Sequence, residues 1–209
     1  MDAEQHYYER LRQFAAETVP PGGILLLGSS HLEWFDAPHL LPGRHFVNRG
    51  IASDRLGLTE RGILHRLDVS LVACRPAFIV FENGANDLGE LWRHGIPTLR
   101  AIIACYDRVV TEIRTRCAGV PLLLINVMPT TGRYAGLNPH VRQFNPHVAR
   151  IAVAHTCAHL DLWSAMADES GELRPELTDD GLHLNALGYR LFAEQIAPHL
   201  PPPAIYAGP

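Results

Sequence analysis

The sequence predicts an α/β protein, a three-layer α/β/α sandwich built on a central parallel sheet of five strands. Three observations carry this. Five short apolar runs are each bounded by turn residues, as expected of strands buried on both faces. Longer stretches between them place apolar residues at helical spacing. Strands that alternate with helices in this way pair in parallel and carry helices on both faces of the sheet. No repeat or linker divides the 209 residues, so 1–200 is read as one domain with an N-terminal helix, and 201–209 as an irregular C-terminal tail.

The opening segment, about 2–17, spaces Tyr7, Leu11 and Phe14 for a helix that stops at Pro20-Pro21-Gly22-Gly23. ILLLG (24–28) is the first strand and HFVNRG (45–50) the second. Leu58, Ile63, Leu67 and Leu71 predict a helix over 58–74. AFIVFENG (77–84) is the third strand, followed by a helix from about Thr98 to Cys117. PLLLINVM (121–128) is the fourth strand, stopped by Pro129. The Gly-, Asn- and Pro-rich stretch 130–146 reads as a long loop, with a helix starting at Asn145-Pro146 and ending near His159. HLDLW (159–163) is the fifth strand and about 185–198 the last helix.

Composition excludes several chemistries. All 18 basic side chains are arginine and none is lysine. Arginine cannot give up its proton near neutral pH, so Schiff-base chemistry and Ser-Lys dyads are out. The phosphate-binding P-loop lacks its lysine, and no Gly-x-Gly-x-x-Gly fingerprint supports a dinucleotide site. A net charge of −4 gives no electrostatic reason to bind nucleic acid. Cys74, Cys105, Cys117 and Cys157 show no C-x-x-C spacing and read as free thiols of a reducing compartment. The polar N-terminus and the lack of a long apolar run predict a cytoplasmic protein with no transmembrane segment. His155 and His159 tempt a metal reading at helical spacing beside Cys157, but no H-E-x-x-H accompanies them, and no metal or cofactor is expected.

In parallel sheets ligands bind beyond the carboxyl ends of the strands. The tips there are Ser29-Ser30-His31, Asn48 to Asp54, Asn83 to Asp87 and Asp179 to His183, all polar. They permit acyl transfer. Serine needs a base to become a nucleophile, histidine is the natural base near pH 7, and a carboxylate must fix the imidazole tautomer. Asp180 precedes His183 by three residues, within reach over one turn. The backbone N–H groups of Ser30 and Ser53 and the Asn86 amide would supply donors to an oxyanion.

These blocks resemble the SGNH (GDSL-type) hydrolase superfamily. Its Gly-Asp-Ser block reads here Gly28-Ser29-Ser30, and its Asn-x-Gly-Ile-x-Gly-Asp block reads Asn48 to Asp54. Gly-x-Asn-Asp is met by Gly84 to Asp87, and Asp-x-x-His by Asp180 to His183. The resemblance implies an SGNH/flavodoxin-like fold and a serine esterase, with Ser30 as nucleophile, His183 as base and Asp180 as its orienting acid. Ser30, Ser53 and Asn86 then form the oxyanion hole. The small size leaves little chain for a lid, so the expected substrate is a small carboxylic ester with a short acyl group, such as acetyl on a sugar or a short-chain lipid, rather than a long-chain triglyceride. Two positions depart from the pattern: Ser29 replaces the aspartate, and Ser53 replaces the oxyanion glycine. The α/β-hydrolase elbow is excluded because Leu32 stands where its second glycine belongs. An acyltransferase and a non-catalytic binding module remain alternatives, and a homo-oligomer stays open. Trp34-Phe35 reads as helix packing rather than an acyl pocket, while Trp92, Tyr134 and the 130–146 loop are placed at the border of the substrate site.

Overall fold

The computed structural model describes residues 2–203. Helix α1 (Ala3–Ala16) starts where the Asp2 carboxylate accepts the Gln5 N–H at 2.7 Å. Strand β1 (Ile24–Gly28) is buried along its whole length. Two short helices follow, α2 (Ser30–Glu33) and α3 (Ala37–Leu40), before β2 (Phe46–Gly50). Then come α4 (Leu67–Ser70), β3 (Phe78–Glu82), α5 (Ala85–His94), α6 (Leu99–Arg116) and β4 (Leu122–Ile125). The chain continues through α7 (Asn138–Ala154), β5 (Ala158–Leu160), α8 (Leu162–Met166) and α9 (Ala186–Ile196).

The sheet is parallel throughout, in the order β2-β1-β3-β4-β5. Alternate residues of each strand feed two cores, because successive side chains point to opposite faces. Leu25, Leu27, Ile79, Phe81, Leu122 and Leu124 pack with α6 and α7 on one side. Leu26, Phe78, Val80, Leu123 and Ile125 pack with Phe35, Leu162, Phe192 and Ile196 on the other. This is the expected three-layer sandwich. No helix among the described residues is long and apolar enough to cross a membrane, and all four cysteines are free thiols.

Several elements depart from expectation. Residues 58–74 form no continuous helix, only two 3-10 turns (Ile63–His65 and Val72–Cys74) around the four residues of α4. Gly57 and Gly62 have φ of +111° and +131°, and a Cβ on Gly62 would meet the Gly57 nitrogen at 2.5 Å. The chain doubles back there, and Ile63 N–H donates to the Arg55 carbonyl at 2.8 Å instead of to a helical partner. The 130–146 stretch is not a loop. It holds a 3-10 turn (Gly132–Leu137), and α7 begins at Asn138, running straight through Pro146. The lost proline N–H is outweighed by Val141, Phe144, Val148 and Ile151, which seat the helix on the sheet. Strand β5 ends at Leu160, because the Asp161 carboxylate caps α8 through the Ser164 N–H. Helix α5 was not foreseen. The last helix ends at Ile196 and passes into a 3-10 turn (Ala197–His199). Residues 201–203 of the expected tail are irregular, and 204–209 lie outside the described residues.

Candidate active site

Strand β1 ends on Gly28, where any Cβ would stand 2.1 Å from the Glu82 carbonyl oxygen. Only glycine permits this turn. Ser29 then occupies the N-cap of α2, and Ser30 opens the helix.

Beyond β2 the chain turns sharply, with Ile51 N–H on the Gly28 carbonyl at 3.1 Å and Asp54 N–H on the Ile51 carbonyl at 3.1 Å. Ser53 takes φ of +63° in this turn, a left-handed conformation that glycine adopts without the strain a side chain brings. Three anchors hold the turn. The Glu33 carboxylate accepts the Ala52 N–H. Asn86 Nδ2 donates to the Asp54 carbonyl at 2.8 Å. Arg66, wholly buried, donates to the Asp54 carboxylate at 2.8 Å, to the Arg49 carbonyl at 2.9 Å and to the Gly28 carbonyl at 3.1 Å.

The Asp180 turn is held by its own carboxylate. One oxygen accepts the N–H groups of Leu182 and His183, each at 2.8 Å, and the other faces His183 Nδ1 at 2.7 Å. Gly181, at φ of +89°, lets the Thr131 carbonyl approach to 2.5 Å of where a Cβ would lie. Because a carboxylate only accepts, Nδ1 carries the proton and Nε2 is left as the basic nitrogen. Burial pushes the Asp180 carboxyl up, yet these donors outweigh it and hold it well below the usual carboxylate range. Burial lowers His183, Asp180 raises it and the nearby His31 lowers it, leaving it below the ordinary histidine value.

Ser30, Ser53, Asn86 and His183 line one open cavity of about 390 Å³, with Asp180 behind the imidazole. All five residues singled out in the sequence are thus brought together. Among the described residues the Ser30 hydroxyl and the His183 ring make no hydrogen bond to each other; they share the cavity wall. Trp34 corrects the packing expectation. It is half exposed, its ring lies 4.6 Å from that of His183, and it borders the cavity, whereas Phe35 is buried in the core. Tyr134 also borders the cavity. Trp92 does not; it packs against the core beneath Gly136. His155 and His159 do not share a helix, since α7 ends at Ala154 and His159 lies in β5; His155 pairs with Asp107 at 2.8 Å.

Sequence reasoning missed Arg55, Glu90 and Arg93 on the cavity rim, where Arg55 and Glu90 pair at 2.9 Å. It also missed a buried pair beneath the site, His31 and Glu82. A signal for Glu82 was present: a lone carboxylate inside an otherwise apolar strand needs a partner.

A serine hydroxyl, amide groups and an Asp-His pair thus lie together at the carboxyl ends of a parallel five-stranded sheet. Residues 28–191 match the GDSL-like lipase/acylhydrolase family, and the chain belongs to that family. A Streptococcus pneumoniae structure provisionally described as a platelet activating factor superposes with a TM-score of 0.83 at 20% identity, covering 94% of each chain. A GDSL-like lipase from Bacteroides thetaiotaomicron gives 0.78 at 18% identity, over 92% of this chain and 96% of that one. The acetylxylan esterase of Geobacillus stearothermophilus gives 0.68 at 15% identity, over 87% and 95%. At these identities the likeness establishes the fold. No curated protein matches the chain.

Proposed function

We propose that the protein is a serine esterase that cleaves short-chain carboxylic esters through an acyl-enzyme. The carrying observation is the 2.7 Å contact from Asp180 to His183 Nδ1, which leaves Nε2 basic in the cavity that Ser30 lines. Ser30 Oγ attacks the ester carbonyl carbon while its proton passes to His183 Nε2. The oxyanion accepts hydrogen bonds from the N–H groups of Ser30 and Ser53 and from Asn86 Nδ2. His183 then gives the proton to the departing alcohol, and water repeats the sequence to release the acid. Asp180 stabilises the transient imidazolium.

The rim favours a polar alcohol portion. Arg55, Glu90 and Arg93 offer charged donors and acceptors, and Trp34 and Tyr134 offer flat faces, an arrangement suited to an acetylated sugar. The acetylxylan esterase of similar fold supports this class. Free thiols at all four cysteines support a cytoplasmic setting. Ser30→Ala is expected to cut turnover of p-nitrophenyl acetate by several orders of magnitude with an unchanged far-UV spectrum. Retained turnover in that variant would remove Ser30 as nucleophile.

A further inference from the structure

Beneath the nucleophile turn lies a group of buried polar residues that the acyl-transfer steps do not use. Glu82, the last residue of β3, has a wholly buried carboxylate. Its Oε2 accepts the Ser29 hydroxyl at 3.5 Å. Its Oε1 has no hydrogen bond and faces His31 Nδ1, likewise without one, at 3.8 Å. Among the described residues His31 is the one ion-pair partner of this carboxylate. The other ring nitrogen, His31 Nε2, lies 3.1 Å from the Leu182 carbonyl.

A carbonyl only accepts, so Nε2 must carry a proton. A buried carboxylate without a cation is strongly disfavoured, so a proton on Nδ1 satisfies both groups. We propose that His31 and Glu82 are positioning residues: a buried imidazolium–carboxylate pair that clamps the His183 turn onto the nucleophile turn and presents a fixed positive charge to the His183 ring.

The geometry makes the pair a bridge. His31 follows Ser30 directly, and Leu182 precedes His183 directly, so the Nε2–Leu182 bond joins the two halves of the proposed catalytic machinery. The rings of His31 and His183 stand 5.8 Å apart. Tyr189 of α9 locks the backbone by donating to the His31 carbonyl at 3.1 Å. The charged or titratable groups acting on His31 are therefore Glu82 from β3 and Asp180 and His183 from the opposing turn. Burial alone would lower His31, but the Glu82 carboxylate and the Leu182 carbonyl together raise it above the ordinary value. In this arrangement Ser29 need not be an aspartate, because the carboxylate beneath the turn comes from β3.

The inference rests on His183 being the base, but its first test does not. Nitrogen-15 spectra of the histidine rings, with His31 assigned by through-space transfer to Leu182 and Tyr189, should show both of its nitrogens protonated at pH 7. A bare Nδ1 at that pH would overturn the ion pair. The same spectrum in Ser30→Ala reads the pair even if the protein hydrolyses no ester. The second test is His31→Gln, which keeps a donor for Leu182 and removes the charge. Its kcat toward p-nitrophenyl acetate should fall roughly tenfold or more with KM little changed, as expected of a displaced base. The acidic limb of its kcat/KM profile should move up by about one pH unit, because a positive charge no longer opposes protonation of His183. A merely structural residue would lower the melting temperature and leave that limb in place, and such a result would defeat the proposal. Should His31→Gln not fold, the ring-nitrogen spectrum of the natural sequence decides alone.

Discussion

At the scale of single residues, the proposed role of His183 as base ties the working pH of the site to the environment of its ring. Partial burial and the His31 charge depress it, and the Asp180 carboxylate only partly compensates. The basic form therefore persists below the ordinary value of 6.5. Esterase kcat/KM should rise with pH to a plateau with its midpoint below 6.5, followed with p-nitrophenyl acetate between pH 5 and 8. A midpoint above 7 would mean that another group limits the reaction. Asp180→Asn frees Nδ1 from its acceptor and allows the wrong tautomer, so kcat should drop on the order of 10³- to 10⁴-fold with the fold intact. Residues of this kind were legible in the sequence because their chemistry demands them in sets. Trp34 was not. It caps the end of a four-residue helix, too short a stretch for periodicity to tell half-exposed Trp34 from buried Phe35.

Among the elements, strands were easier to read than helices, for a physical reason. A strand covered on both faces must be apolar throughout, and ILLLG, AFIVF and PLLLI announce themselves. Helical spacing over 58–74 was real, since Ile63, Leu67 and Leu71 are all buried in one core, but two left-handed glycines make the chain reach that core by short turns. Pro146 misled in the opposite sense, because the Asn145 side chain ties α7 to both backbone groups of Val127, at 3.1 and 2.8 Å, and holds the helix in place around the proline. Helix α5 was hidden by Gly84 and Gly89 and by an Asn-Asp pair that suits a turn equally well. The element on which the site leans most is the irregular turn after β2, and Arg66 is its keystone. Arg66→Met leaves the Asp54 carboxylate buried without its counter-ion, so unfolding free energy should fall by roughly 3–5 kcal/mol in urea titrations. A loss under about 1 kcal/mol would place the strength of the turn elsewhere, in Asn86 and Glu33.

For the whole molecule, the strand order 2-1-3-4-5 puts a switch point between β1 and β3: the chain leaves β1 toward β2 on one side and leaves β3 toward β4 on the other. A crevice opens at such a point; Ser30 and Asn86 follow the two strands that flank it, and Ser53 follows β2, the outer neighbour of β1. Alternation anticipates a parallel sheet with its site at the carboxyl ends of the strands, but neither the strand order nor the charges buried under the crevice, since both are properties of the assembled layers. Asp87 shows what these charges do to overall stability. Buried at the start of α5, it accepts the Leu56 N–H at 3.1 Å, and burial pushes its carboxyl up from 3.8 to about 7. The folded state thus holds a proton that the unfolded chain has lost, and stability drains away as pH rises from about 4 to about 7. Asp87→Asn keeps an acceptor for Leu56 and removes the titration. The variant should gain on the natural sequence by a few kcal/mol between pH 4 and 8 in urea midpoints, at about 1.4 kcal/mol per pKa unit. Parallel pH profiles for the two proteins would show that Asp87 stays ionised in the fold.

The N-terminal part of α1 has a practical corollary. Ala3 forms part of the cavity wall, and His6 and Arg10 reach the Glu33 carboxylate that secures the turn after β2. Bulk added at Ala3 would therefore narrow the cavity proposed to take the substrate.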